Sequence, residues 1–194
     1  MSSCYWHTFQ VLTKRSGRLA ELLNGPLSPF GNLDHIWWGV SVEDRRFGIP
    51  RISDLQSCNA AVRFLSIEPL LENLGEIDLS GIHWVIVGGE SGGGARRMEE
   101  DWVLSIQEQC DRSNVPFFFK QWGGAQKKKH GRELRGIVYD TFPQTSRKTI
   151  PSRADRGRMI QSLPLSYRHA DKLRSSEDLA EGTENKLFNM WSES

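Results

Sequence analysis

The 194-residue chain has only three cysteines, Cys4, Cys58 and Cys110, and none is spaced for a metal cluster or a disulfide framework. Its five histidines are scattered, so the sequence contains no cysteine–histidine nucleophile pair and no histidine-rich metal set. No apolar run approaches the length of a membrane span, and the first residues lack the features of a signal peptide. We therefore expect a cytoplasmic protein with no metal site and no cofactor of its own.

The net charge of +1 hides an uneven distribution of charged residues. Residues 1–124 hold 11 basic and 15 acidic side chains, whereas residues 125–175 hold 13 basic and 4 acidic ones. This shift predicts an ordered domain over 1–124 and a basic, largely irregular tail over 125–194. The end of the tail carries a small apolar cluster that is expected to anchor it, formed by Leu187, Phe188, Met190 and Trp191.

Five short apolar segments predict β-strands, and segments of helical periodicity lie between them. The strands are expected at residues 7–12, 36–40, 61–65, 84–87 and 115–119. Helices are expected at about 19–23, 49–58 and 100–114, with only a turn or two of helix between the third and fourth strands. This alternation predicts an α/β fold with a parallel sheet and right-handed crossovers. A further short strand or hairpin is expected at 136–140.

Polar or charged residues follow every predicted strand. They are Lys14 and Arg15, Glu43 and Asp44, Glu68, Glu90, and Lys120 and Gln121. Because the carboxyl ends of parallel strands lie along one rim, we expect these side chains to share a polar pocket. Ordinary loop polarity is the alternative interpretation.

The fourth strand ends in a glycine-rich turn shaped by Gly88, Gly89, Glu90 and Ser91. Strand, glycine-rich turn and helix form a frequent ligand site in α/β proteins, although a purely structural turn is the alternative. The turn is not a P-loop, because Ala95 follows Gly94, and it is not a dinucleotide fingerprint, because Arg97 replaces the third glycine. Its backbone amides, together with Arg96 and Arg97, are suited to binding an anion.

Glu68 and Glu90 are predicted at the ends of neighbouring strands. Two such carboxylates can share a proton, bind a cation, or accept hydrogen bonds from Lys14 or Lys120. Glu68, Glu90 and Lys120 are therefore candidate catalytic residues, and a structural ion-pair network is the alternative. Trp122 lies among glycines past a strand end, where its ring is placed to stack on a flat ligand.

Five motifs in order resemble a phage-associated protein family of unknown function. They are HTFQVLTKR (7–15), WGVSVED (38–44), RFLSIEPLL (63–71), WVIVGGESG (84–92) and PFFFKQWG (116–123), so the resemblance covers about residues 6–124. Full-length members resemble radical S-adenosylmethionine proteins, carry three clustered cysteines near the N-terminus, and are associated with a three-Cys-motif partner protein. The resemblance implies a partial parallel β/α barrel with its ligand site at the rim.

The chain departs from that family pattern at its N-terminus. It begins at an internal strand of the family, so the segment with the cysteine trio is expected to be missing, and Cys4, Cys58 and Cys110 do not replace it. S-adenosylmethionine and a 4Fe–4S cluster are therefore expected only in a longer form. A barrel that begins late also exposes the edge of its first strand, which predicts self-association or a partner protein.

Together these observations predict an uncharacterised phage- or prophage-type protein, the C-terminal part of a radical-SAM-like barrel, without iron–sulfur chemistry of its own. The alternative is a binding module for an anionic ligand or nucleic acid that uses Arg96, Arg97 and the basic tail. A third possibility is a hydrolase or lyase that uses Glu68 and Glu90. The predicted ligand-binding set is Glu43, Gly88, Gly89, Glu90, Ser91, Arg96, Arg97 and Trp122.

Overall fold

The structure is a computed structural model that describes residues 1–125, 131–145 and 148–162. It divides into two units, residues 1–149 and residues 150–194. The predicted cluster at Leu187 to Trp191 and the lysine run at 127–129 lie outside the described residues.

A five-stranded parallel sheet is the centre of the first unit. Its strands are β1 (Phe9–Thr13), β2 (Ile36–Ser41), β3 (Val62–Ile67), β4 (Trp84–Gly88) and β5 (Phe117–Gln121). Each strand pairs in parallel with the next strand of the chain, so their order across the sheet is their order in the sequence. This confirms the predicted α/β class and the five parallel strands, and closure into part of a barrel stays a prediction.

The described part of the same unit contains four helices: α1 (Ser16–Leu23), α2 (Ser28–Gly31), α3 (Ile49–Gln56) and α4 (Glu100–Arg112). The short helix α2 was not predicted. The prediction of a turn or two of helix between β3 and β4 was wrong, because this connection contains no helix. Gly75 and Gly81 adopt positive φ angles there, and the Gln109 side chain binds the Ile77 N–H and the Gly75 carbonyl in place of helical hydrogen bonds.

The helices α1, α3 and α4 share one core with one face of the sheet. That core joins Leu19 and Leu23 of α1, Leu55 of α3 and Ile106 of α4 to strand residues such as Leu65. The opposite face, here called the open face, is a separate cluster that contains no helix residue: Trp37, Val62, Phe64, Trp84 and Ile86. Successive strand residues alternate between these two faces, as the pleat requires.

The two edges of the sheet differ. The Phe119 N–H of β5 donates to the Tyr139 carbonyl, and Phe118 pairs with Asp140, so the outer edge of β5 is covered. A hairpin of β6 (Glu133–Leu134) and β7 (Ile137–Val138) precedes these residues and confirms the hairpin predicted near 136–140. Among the described residues, by contrast, no strand pairs with the outer edge of β1.

The structure corrects two further predictions, one strand boundary and one segment without helix. Strand β5 begins at Phe117 rather than at Val115, because the Val115 N–H bonds back to the Cys110 carbonyl at the end of α4. Lys120 therefore lies within β5 rather than after it. In the second unit, α5 (Arg153–Ser162) forms in a segment that was predicted to be irregular, and none of its residues is buried.

Gly39 of β2 is a test of the packing on the open face. A Cβ at Gly39 would lie 2.4 Å from the ring of the buried Phe64, so Gly39→Ala is expected to lower the free energy of unfolding by about 1–3 kcal/mol. Gly17→Ala in α1 is the matched control, because a Cβ there meets no atom within 4 Å and alanine favours helix by up to about 1 kcal/mol. Denaturant unfolding measures both, and a wild-type stability for Gly39→Ala would contradict this packing.

Candidate functional site

A cavity of about 370 Å³ lies at the carboxyl ends of β1 to β4. Its lining residues are Lys14, Glu43, Asp44, Phe47, Arg51, Pro69, Leu71, Glu90 and Arg96. Lys14 follows β1, Glu43 follows β2, Pro69 follows β3 and Glu90 follows β4, so the cavity is assembled from the ends of consecutive parallel strands. We call it the rim cavity.

Glu43 is the buried charge of the rim cavity. The Arg51 guanidinium donates to one carboxylate oxygen of Glu43 at 2.7 Å and to the Ser41 carbonyl at 2.6 Å, and the Lys14 ammonium binds the other carboxylate oxygen. Burial by itself raises the pKa of Glu43, but the hydrogen bonds from Lys14 and Arg51 outweigh it and hold the pKa below its ordinary value. Glu43 is therefore a carboxylate at neutral pH, and its two cations fix the ends of β1 and β2 and the first turn of α3.

Glu90 is bound by Arg96 across the glycine-rich turn. The Arg96 Nε and Nη2 atoms each donate to a different carboxylate oxygen at 2.8 Å, and the Arg96 backbone N–H donates to Oε2 at 2.9 Å. This fork lowers the pKa of Glu90 to about 2. The third acid of the cavity, Asp44, accepts the backbone N–H groups of Phe47 and Gly48 and so fixes the turn into α3.

Glu68 and Lys120 form a separate pair on the open face. The Lys120 ammonium lies 3.0 Å from Glu68 Oε2, and the buried Ser66 hydroxyl donates to Glu68 Oε1 at 3.1 Å. Glu68 and Glu90 are thus each bound to a cation of their own, whereas Lys14, predicted as a partner for either of them, binds Glu43. Glu68 and Lys120 do not belong to the lining of the rim cavity.

Close approach requires a glycine at position 89 of the turn and leaves little room for a side chain at position 88. A Cβ at Gly89 would lie 2.0 Å from the Trp122 carbonyl oxygen, and a Cβ at Gly88 would lie 3.1 Å from the Glu68 carboxylate. Ser91 accepts a hydrogen bond of 2.7 Å from the Gln121 side chain, so the turn is docked against the end of β5. Gly88, Gly89 and Ser91 therefore shape the rim and do not themselves line the cavity.

Arg97 and Trp122, both predicted to bind a ligand, also lie outside the cavity lining. Arg97 is exposed and its Nε lies 3.3 Å from Glu99. The Trp122 indole N–H donates to the Glu133 carbonyl at 2.8 Å, and its ring packs edge-on against Phe119. Trp122 thus fastens the β6–β7 hairpin to the sheet.

Sequence reasoning missed Phe47 and Arg51. Both follow Glu43 and Asp44 at the turn into α3, and the first turn of a helix that follows a strand lies at the carboxyl rim of a parallel sheet. That position is the signal in the sequence that points to Phe47 and Arg51, and it is weak because neither residue comes directly after a strand.

The cysteines do not fit an iron–sulfur cluster. Cys58 and Cys110 are buried in the helix-side core, and burial raises the pKa of both thiols, that of Cys110 to about 12, so both are protonated rather than thiolate ligands at neutral pH. Cys4 is the only other cysteine. Within the described residues, no group of three or more His, Cys, Asp or Glu is arranged to hold a metal ion. No helix among these described residues is long and apolar enough to cross a membrane.

Fold and cavity together define an α/β protein with a charged cavity at the carboxyl rim of a parallel sheet. A family model described as "protein of unknown function (DUF5131)" matches residues 1–143, and the chain belongs to this family. This confirms the predicted membership of an uncharacterised family, and the match extends past residue 124 into the hairpin. No curated protein and no solved structure matches the chain.

The Glu90–Arg96 fork predicts a pH dependence that can be measured at one carboxyl group. The folded pKa of Glu90, about 2, lies below the ordinary value of 4.5, so Glu90 contributes stability above about pH 4.5 that is lost as the pH falls toward 2. In Arg96→Ala, a carboxyl-detected NMR titration should show the pKa of Glu90 returning toward its ordinary value.

The control for this titration is Arg97→Ala, since Arg97 contacts Glu99 rather than Glu90. The pKa of Glu90 should stay low in that variant. An ordinary Glu90 pKa in the wild-type protein would contradict the fork.

Proposed function

We propose that the chain binds a small anionic ligand in the rim cavity, and that its sheet forms part of a radical-SAM-like β/α barrel of phage or prophage type. The resemblance of the five sequence motifs to a family whose full-length members resemble radical S-adenosylmethionine proteins supports the assignment to such a barrel.

The order of the strands supports the barrel. A doubly wound sheet reverses its strand order and carries helices on both faces, whereas a β/α barrel keeps sequential order with its helices outside. Here the five strands are sequential, and α1, α3 and α4 share one core on one face. The open face carries large side chains such as Phe64 and Trp84, which is how a barrel interior is filled.

The exposure of the charged groups carries the anion-binding proposal. The cavity is lined by three basic and three acidic residues, so composition alone favours neither sign. The Lys14 and Arg96 side chains are 63% and 60% exposed, whereas those of Glu43 and Glu90 are 8% and 30% exposed. A ligand that enters from solvent therefore meets cations first.

The hydrogen bonds of the cavity residues also favour an anionic ligand. The Glu90 carboxylate, one oxygen of Glu43 and one oxygen of Asp44 already accept hydrogen bonds from cations or from backbone N–H groups, and the second Glu43 oxygen is in a salt bridge with Lys14. An ammonium has three N–H donors and a guanidinium has five, and Lys14 and Arg96 each use only some of theirs on these carboxylates. The remaining donors at the mouth are suited to an anionic group such as phosphate or carboxylate.

Titration with inorganic phosphate at low ionic strength tests the site. Lys14→Gln should weaken phosphate binding by about threefold to fivefold, the effect of losing one exposed charge pair, and Lys14→Arg should restore much of it. Isothermal titration calorimetry, or shifts of backbone amide signals near the cavity, would report the affinity.

Arg18→Gln is the matched control, because it also removes one positive charge from an exposed side chain but lies on α1, paired with Glu21. It should leave phosphate affinity unchanged. Equal weakening by Lys14→Gln and Arg18→Gln would assign the binding to net charge and contradict a site in the rim cavity.

A second proposal concerns partners: the chain self-associates through the outer edge of β1, or places there a strand of another protein such as the three-Cys-motif partner. The support is the contrast between the edges, since residues 139–141 cover β5 while β1 has no such neighbour among the described residues. Leu12 is exposed beside that edge. An uncovered strand edge that carries an apolar side chain favours pairing with another chain.

Light scattering after size-exclusion chromatography tests self-association. The wild-type protein should form dimers as its concentration rises, and Leu12→Lys should shift it toward monomer, because a charge at an edge strand opposes pairing. Ile137→Lys is the control, since Ile137 is equally exposed but lies in the β6–β7 hairpin. If the wild-type protein stays monomeric at high concentration, self-association through this edge is contradicted, and only pairing with a different protein remains proposed.

A further inference from the structure

The apolar residues of the rim cavity are not explained by anion binding. Phe47, Pro69 and Leu71 line the same cavity as Lys14 and Arg96. Ligand sites characteristically combine an apolar or aromatic wall with a few charged groups that fix the orientation of the ligand. The cavity therefore presents two chemistries side by side, and its ligand should carry both.

Phe47 lines the cavity, the residue is 58% exposed, and its backbone is held in place. Its backbone N–H donates to Asp44 Oδ1 at 2.6 Å, which fixes its position in the turn between β2 and α3. The Arg46 guanidinium lies over the ring, 4.9 Å from its centroid, so the π-surface already takes part in a cation–π contact. An exposed aromatic ring that lines the same cavity as two cations is suited to stacking against a planar group.

From this juxtaposition we infer that the ligand of the rim cavity is a nucleoside monophosphate, with its base against Phe47 and its phosphate at Lys14 and Arg96. The assignment rests on the anion-binding function proposed above. Two cations at the mouth match a phosphate dianion better than a monoanionic carboxylate. The volume of about 370 Å³ is near the lower end of the roughly 300–1,000 Å³ of small-molecule sites, which suits one nucleotide rather than a dinucleotide.

The test compares AMP with ribose 5-phosphate, two ligands that share the phosphate and the ribose and differ in the base. Isothermal titration of the full chain at low ionic strength should show AMP binding about tenfold more tightly, since stacking of a base on an aromatic ring supplies a factor of this size. Phe47→Ala should abolish this preference, and Phe47→Tyr should retain it because the ring is kept. Lys14→Gln should weaken both ligands by the same factor and leave the preference intact.

The controls separate the two proposals. Phe47 is an exposed residue outside both core clusters, so the thermal transition of Phe47→Ala should match that of the wild-type protein. Equal affinity of the wild type for AMP and ribose 5-phosphate would overturn the nucleotide assignment and leave the anion site standing. No binding of either phosphate would overturn both proposals, and binding of adenosine as tight as that of AMP would overturn the role of the cations. Much tighter binding of a single-stranded oligonucleotide than of AMP would replace the free nucleotide by nucleic acid.

Discussion

The parallel pairing of five consecutive strands is the constraint on which the rest of this structure depends. Because each strand pairs with its successor and all run the same way, their carboxyl ends meet at one rim. The period of two in each strand then assigns alternate residues to two different surroundings, the helix-side core and the open face. Residues as distant in sequence as Lys14, Glu43 and Glu90 line one cavity as a direct consequence.

Glu43 shows how that rim is held together electrostatically. A buried carboxylate is costly unless it is paired and hydrogen-bonded, and Glu43 meets this condition with cations from two different elements, Lys14 after β1 and Arg51 in α3. The same contacts hold the pKa of Glu43 low despite its burial. The Glu43 carboxylate therefore holds Lys14 in position, and the exposed side of the Lys14 ammonium can still contact a ligand.

The sequence predicted the α/β class and five parallel strands because strand periodicity and β-branched composition are local signals. It failed where a tertiary contact overrides a local preference. The Val115 N–H is taken by the end of α4, which delays β5, and the Gln109 side chain binds the backbone of the third crossover, where a turn of helix had been expected.

The location of the candidate site could be predicted from the sequence, but the ion pairs within and beside it could not. Strand-end polarity indicated the rim, whereas the partners of Glu68 and Glu90 depend on geometry that spacing does not encode. Arg96 reaches back to Glu90 only because the glycine-rich turn reverses the chain between them, and Lys120 meets Glu68 because β4 contributes Gly88, with no side chain, between them. Phe47 and Arg51 required knowing that the first turn of α3 lies at the rim.

The charge that a ligand meets on entering the cavity depends on which charged side chains are exposed, rather than on how many of each sign line the cavity. In the sequence, several carboxylates follow the predicted strands, and such carboxylates suggest proton transfer or cation binding. In the folded chain the carboxylates of Glu43 and Glu90 are less exposed and each is paired with a cation, while the more exposed Lys14 and Arg96 keep N–H donors that these carboxylates do not use. A carboxylate that is less exposed than the cation it pairs with stabilises the charge of that cation and holds it in place. A rim rich in glutamate can therefore present a surface suited to anions.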